Sequence, residues 1–181
     1  EEWIIYEGFD NGDFNGIPDT LVWIQSGDAD WTIDTDAFEG GFSAQSGIIT
    51  HNQTSSISTS AEISNIPGSI QFSYKISTEA NYDKLFFYVD GIEKAQWDGV
   101  HEWADATFTL APGSHTFKWE YFKDGSITIP ADAVWIDDIY QVYVEDGTVK
   151  TRKRDVNRVP VAIKSAGVTK SDAILHCDVS H

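Results

Sequence analysis

Arginine is absent from residues 1–147, and five lysines there face 26 aspartates and glutamates, a net charge of −21. Phosphate backbones are held by clustered Lys and Arg, so nucleic acid is a poor partner for this part and is not expected. Cysteine is nearly missing as well. The single Cys177 cannot close an internal disulfide, which leaves a free thiol or a bridge to another chain. No run approaches the roughly 18 apolar residues that cross a bilayer, so membrane insertion is not expected. The chain starts at Glu1 with no Met and no signal-like apolar segment, and is expected to be a mature or excised piece. Catalytic patterns are thin too: no Ser stands in a nucleophile elbow and no His pair has zinc-ligand spacing. Carboxylates this abundant are no sign of a paired acid and base. The expectation is a non-enzyme, with a glycan-active enzyme as the most remote reading.

What is present is alternation with period two. Ile70, Phe72, Tyr74 and Ile76 interleave with Gln71, Ser73, Lys75 and Ser77, the pattern of a strand with one apolar face. Leu85, Phe87 and Val89 repeat it up to Asp90-Gly91, a hairpin dipeptide, with Ile92 to Trp97 as the returning strand. Thr107 to Leu110 and Thr116 to Phe122, joined by Ala111-Pro112-Gly113, read as another hairpin. Val134 to Val144 is a long apolar strand, and shorter ones are expected at Trp3–Phe9, Leu21–Gln25 and Ile48–Ile49. Strands at these turn spacings predict an all-β sandwich. Asp10 to Gly47, rich in Asp, Asn, Gly and Ser, reads as a long structured loop region held by something, and carboxylates round a cation would serve.

After Gly147 the character changes. Residues 148–181 carry seven Lys and Arg against three Asp, a net charge of +4. The chain therefore divides into an acidic sandwich domain, 1–147, and a basic C-terminal extension, 148–181, that is either a linker or a connector strand.

Several short motifs occur in a fixed order: Phe9-Asp10-Asn11-Gly12, Gly27-Asp28-Ala29-Asp30-Trp31, Ser43-Ala44-Gln45-Ser46-Gly47, Phe87-Tyr88-Val89-Asp90-Gly91, Gly113-Ser114-His115-Thr116-Phe117-Lys118-Trp119, Lys123-Asp124 and Trp135-Ile136-Asp137-Asp138-Ile139. Together, over roughly residues 3 to 143, they resemble the MAM-like and cleaved-adhesin domains of secreted bacterial proteins. The resemblance implies a jelly-roll β-sandwich, of the concanavalin A-like or galactose-binding-like kind. It also implies a non-catalytic accessory or adhesion role, a secreted or cell-surface location and a structural calcium ion. The cysteine pairs of MAM domains proper are lacking, so receptor functions are not carried over.

The family pattern places the Ca2+ between Asp10 and either Asp137 or Asp138. Pleat parity puts Asp138 with Ile136 and Tyr140, facing inward, where a bare carboxylate is costly without a metal or partner. Asp137 is then outward or at the rim. Hydrogen-bonded turn carboxylates are the alternative to metal binding. For ligands, Trp97 and Trp103 flank the polar stretch Asp98–Glu102 and are candidate sugar platforms, or covers for a hydrophobic edge. A second candidate surface is an outward face carrying Ser73, Lys75, Tyr88, Lys118, Glu120 and Phe122. The leading expectation is a calcium-stabilised adhesion or carbohydrate-binding module whose partner is a glycan or cell-surface protein. The competing one is a structural subunit of a surface filament or layer. In it, Lys150, Arg152, Lys153 and Arg154 make the electrostatic contact with another copy, and Val159, Val161 and Ile163 add a strand to its edge.

Overall fold

The computed structural model describes residues 6–14, 21–63, 68–129, 131–145 and 148–151. Among them are twelve strands and no helix: β1 (Tyr6–Glu7), β2 (Ile24–Gly27), β3 (Thr32–Asp34), β4 (Ser43–Gln45), β5 (Thr54–Ile63), β6 (Gly68–Ser77), β7 (Lys84–Val89), β8 (Ile92–Asp98), β9 (Val100–Leu110), β10 (Gly113–Phe122), β11 (Ala133–Glu145) and β12 (Thr148–Thr151). One sheet has seven strands in the order β3-β4-β11-β6-β9, with β1 and β12 also on β11; the other has five, β2-β5-β10-β7-β8. Every pairing is antiparallel.

Alternation builds the core. Ile70, Phe72 and Ile76 of β6 meet Leu85, Phe87 and Val89 of β7 and Phe117, Trp119 and Tyr121 of β10, all buried. Their rings interlock between the sheets: Phe72 lies 4.8 Å from Phe87 and 5.3 Å from Trp119, the latter edge-on. Each such side chain contributes about 1.5–3 kcal/mol by leaving water, which is why a period-two pattern specifies the faces of these strands. The β7–β8 hairpin turns at Asp90 and Gly91, with φ of 53° and 75°, as that dipeptide predicts. The Asp90 carboxylate also accepts from Thr116 N at 2.8 Å, tying the turn to the neighbouring strand.

Three expectations need correction. The stretches Thr107–Leu110 and Thr116–Phe122 do not pair with each other: β9 lies on β6 in one sheet and β10 lies between β5 and β7 in the other. The Ala111-Pro112-Gly113 turn therefore crosses between layers, because the apolar faces of both strands are satisfied by facing the core from opposite sides. No strand forms at Ile48–Ile49, and Ile48 is 96% exposed. The long loop region contains β3 and β4 besides the strand expected at Leu21–Gln25, which is β2. Past Gly147, β12 pairs with β11, with Tyr143 opposite Lys150. Arg152, Lys153, Arg154, Val159, Val161, Ile163 and Cys177 lie outside the described residues.

Candidate functional site

The first cluster is made by an irregularity in β11. Its register with β6 leaves Asp137 opposite Ser73 and resumes with Tyr140 opposite Gln71, so the strand holds one extra residue and bulges. Asp138 sits in the bulge with φ of 48°, a left-handed conformation that Asp tolerates better than most residues. The bulge resets which side chains face the core, and Ile136 and Ile139 both lie in it. Strict parity through Tyr140 therefore fails. Asp137 is neither outward nor at a rim but fully buried, and Asp138 is 4% exposed.

Loop residues 38–41 cover Asp137. Its Oδ2 accepts from Phe38 N at 2.9 Å and Glu39 N at 3.1 Å, and its Oδ1 accepts from Asp138 N at 2.7 Å. Burial nevertheless pushes this carboxyl up to about 7, against the pull of those three N–H groups. Asp10 reaches the same loop at Gly40. A Cβ on Gly40, whose φ is +76°, would overlap the Asp10 carboxylate, and a Cβ on Gly8 would lie 2.6 Å from the Tyr6 hydroxyl and 3.4 Å from Asp10 Oδ2. Two glycines thus make room for the approach. Burial and then the carboxylates of Asp10, Asp138, Asp137 and Glu39 hold the Tyr6 phenol well above its ordinary range. The resemblance implied Asp10 with either Asp137 or Asp138, and Glu39 is a neighbour that no motif marks.

Asp137 has its oxygens taken up by backbone N–H groups and orients the loop, while Asp10, Asp138 and Glu39 lie near enough to act on the Tyr6 phenol without forming a set of three whose carboxylate oxygens all lie within 4.8 Å of one another. Beside the cluster, Glu7 is a second buried acid, 2% exposed. Its oxygens accept from Phe9 N at 2.8 Å and Trp23 Nε1 at 3.0 Å. Desolvation pushes it up to about 7. A Glu two residues before the Phe-Asp motif was the available signal.

The second candidate site is the outer face of the five-stranded sheet. Lys84, Phe86 and Tyr88 alternate outward along β7, and β10 sets Phe122, Glu120 and Lys118 directly opposite them. On the far side of β10, Thr54, Ser56 and Ser58 line up in the same rows. The Lys118 ammonium lies 4.3 Å above the Tyr88 ring and 2.8 Å from Glu120 Oε2, while Tyr88 OH donates to Glu120 Oε1 at 3.3 Å. Phe86 stands 6.1 Å from Tyr88, and Lys84 Nζ donates to Gln96 at 2.9 Å. Burial, then Glu120, pushes the Tyr88 phenol up to about 12. The result is a preorganised strip of aromatic and polar groups.

Other expected ligand residues fall elsewhere. Ser73 and Lys75 belong to β6, in the other sheet: Ser73 donates to Asp105 at 2.7 Å, and Lys75 pairs with Asp36 at 2.7 Å. Trp97 ends the returning strand as expected, in β8, and its ring lies 4.4 Å from Tyr74 and 6.1 Å from Phe72, so of its two readings it is the cover for a hydrophobic edge. Trp103 is in β9, donating to Asp36 at 3.3 Å and lying 6.1 Å from Phe38. Trp103 falls in a strand because β9 begins at Val100, inside the stretch taken for a connection.

No protein-family model and no curated protein sequence matches the chain. Solved structures do. The K1 cleaved adhesin domain of Lys-gingipain from Porphyromonas gingivalis W83 superposes with a TM-score of 0.55 at 14% identity, covering 78% of this chain and 99% of that one. TmCBM61, solved in complex with β-1,4-galactotriose, gives 0.52 at 17% identity, with 76% and 94% covered. The fold is that of cleaved-adhesin and carbohydrate-binding sandwiches. The secreted serine protease VesC from Vibrio cholerae gives 0.51 at 20% identity, but this chain covers only 23% of its length. These likenesses establish the jelly-roll sandwich expected from the motifs, and the MAM part of that resemblance rests on the motifs alone.

Proposed function

We propose that the domain is a non-catalytic, calcium-stabilised carbohydrate-binding or adhesion module of a secreted or cell-surface protein, with its ligand on the outer face of the five-stranded sheet. The observation that carries this reading is the interlocked Tyr88–Lys118–Glu120 group beside Phe86 and Phe122. Sugar rings present C–H faces that stack on aromatic rings and hydroxyls that bond carboxylates, ammonium and amide groups. Two of the five Lys of residues 1–147, Lys84 and Lys118, lie on this strip, which suits neutral or acidic glycans on an otherwise acidic body. The glycan complex of TmCBM61 supports the reading by fold alone. Asp10 and Asp138 would hold the Ca2+, which would neutralise their charge beside the buried Asp137 and fix the 38–41 loop.

Affinity electrophoresis through a panel of neutral and acidic polysaccharides tests the ligand. The expected result is retardation that Tyr88→Ala and Phe122→Ala abolish at unchanged melting temperature. Retardation by no polysaccharide, or retardation indifferent to both substitutions, would sink the assignment of this face. Calcium is tested separately: chelation should lower the melting temperature, and Asp138→Ala should remove most of the difference.

A further inference from the structure

A different group of acids surrounds the turn after β6 and the loop after β10. At its centre Lys123 is fully buried, and its ammonium donates to Asp83 Oδ2 at 2.6 Å, to Ile127 O at 3.3 Å and to Asp132 Oδ2. Asp132 also accepts from the Tyr121 hydroxyl at 2.7 Å, and Asp83, itself 0% exposed, accepts from Asp124 N at 2.8 Å. Lys123 thereby spends its three protons. The backbone carbonyl of Glu79 accepts from Asp83 N at 3.2 Å, closing a tight turn that brings the Glu79 carboxylate back over the same place. One ammonium here faces the four carboxylates of Glu79, Asp83, Asp124 and Asp132.

Two observations go beyond mere crowding of acids. Glu79 Oε2 is sealed from solvent and has no hydrogen-bond partner, although a buried carboxylate oxygen without a donor is costly. Carboxylate oxygens of Glu79, Asp83 and Asp124 also lie within 4.8 Å of one another. Calcium binds oxygen at 2.3–2.6 Å, so two ligands of one ion stand at most about 5 Å apart. Magnesium, at about 2.0–2.1 Å in a strict octahedron, needs a tighter set. Burial, then Asp124 and Asp83, pushes the Glu79 carboxyl upward; a proton or a cation can relieve it.

We propose that Glu79, Asp83 and Asp124 bind a calcium ion, at a site independent of the Asp10–Asp138 cluster. Lys123 then offsets Asp83 and Asp132 from within, while the ion satisfies Glu79 and Asp124 from the loop side.

Equilibrium dialysis at saturating calcium counts bound ions in the intact chain, in Glu79→Gln, in Asp138→Ala and in the double variant. Glu79→Gln is expected to lose one equivalent in either background, with its near-ultraviolet circular dichroism unchanged in calcium. Asp124→Asn serves as the second variant if Glu79→Gln fails to fold, with the same expected loss. An unaltered calcium count in the folded variant overturns the proposal. So does greater stability of Glu79→Gln in chelator at an unaltered count, which would mean that Glu79 is simply protonated. A loss confined to Glu79→Gln, with none in Asp138→Ala, would support this site while refuting calcium at the other.

Discussion

Replacing Glu7 by Gln should change not only how stable the domain is but how its stability depends on pH. The Glu7 carboxyl is 2% exposed and is raised from 4.5 to about 7 by burial, despite accepting from Phe9 N and Trp23 Nε1. Its folded pKa is the higher one, so between those values the folded state holds a proton that the unfolded state has released. Stability therefore falls as pH rises through this window. A shift of this size corresponds to about 3 kcal/mol. The Gln side chain does not titrate, but its one oxygen can serve only one of the two donors, which costs about 1 kcal/mol. The two stability curves should then cross: wild type the more stable near pH 5, Glu7→Gln the more stable near pH 8 by about 2 kcal/mol. Urea unfolding followed by tryptophan fluorescence, in chelator and again in calcium, measures both curves, and Trp23 reports on the site directly. Parallel curves would refute the reasoning, since they would mean that Glu7 is ionised in both states or in neither.

Gly40→Ala should act as a calcium-site mutation without touching a ligand, because the new Cβ overlaps the Asp10 carboxylate and its backbone has φ of +76°; differential scanning calorimetry should show the calcium response largely lost. Trp97→Ala should lower stability by about 3 kcal/mol, as expected for an aromatic packed against Tyr74 and Phe72, while polysaccharide retention is preserved in the folded fraction. Lys123→Met should cost about 3–5 kcal/mol in chemical denaturation, because Asp83 and Asp132 lose the ammonium they share inside the fold; adding Asp83→Asn and Asp132→Asn should recover much of that loss.

Sequence alone determined the strand class and much of the core. At Ile70, Phe72 and Ile76, and at Phe117, Trp119 and Tyr121, one buried face against one solvated face leaves its mark every second residue. Composition decided as much about charge, since the acidic body and basic extension are visible without coordinates. What alternation cannot carry is which sheet a strand joins, so β9 and β10 look like one hairpin although they lie in different layers. Nor can it foresee a bulge, where one extra residue at Asp138 reverses the parity beyond it, or a loop that folds back: Asp137, still in register with Ser73, is buried because Phe38 and Glu39 cover it. Both sites depend on such long-range choices. Asp10 reaches the cluster through the space over Gly40, Glu39 through a loop hydrogen bond to Asp137, and Tyr88 meets Lys118 only because β7 and β10 are neighbours. Local sequence records which face of a strand is buried, because that is settled residue by residue in water. The partner across a gap is settled by how whole layers pack, and no single stretch of chain contains it.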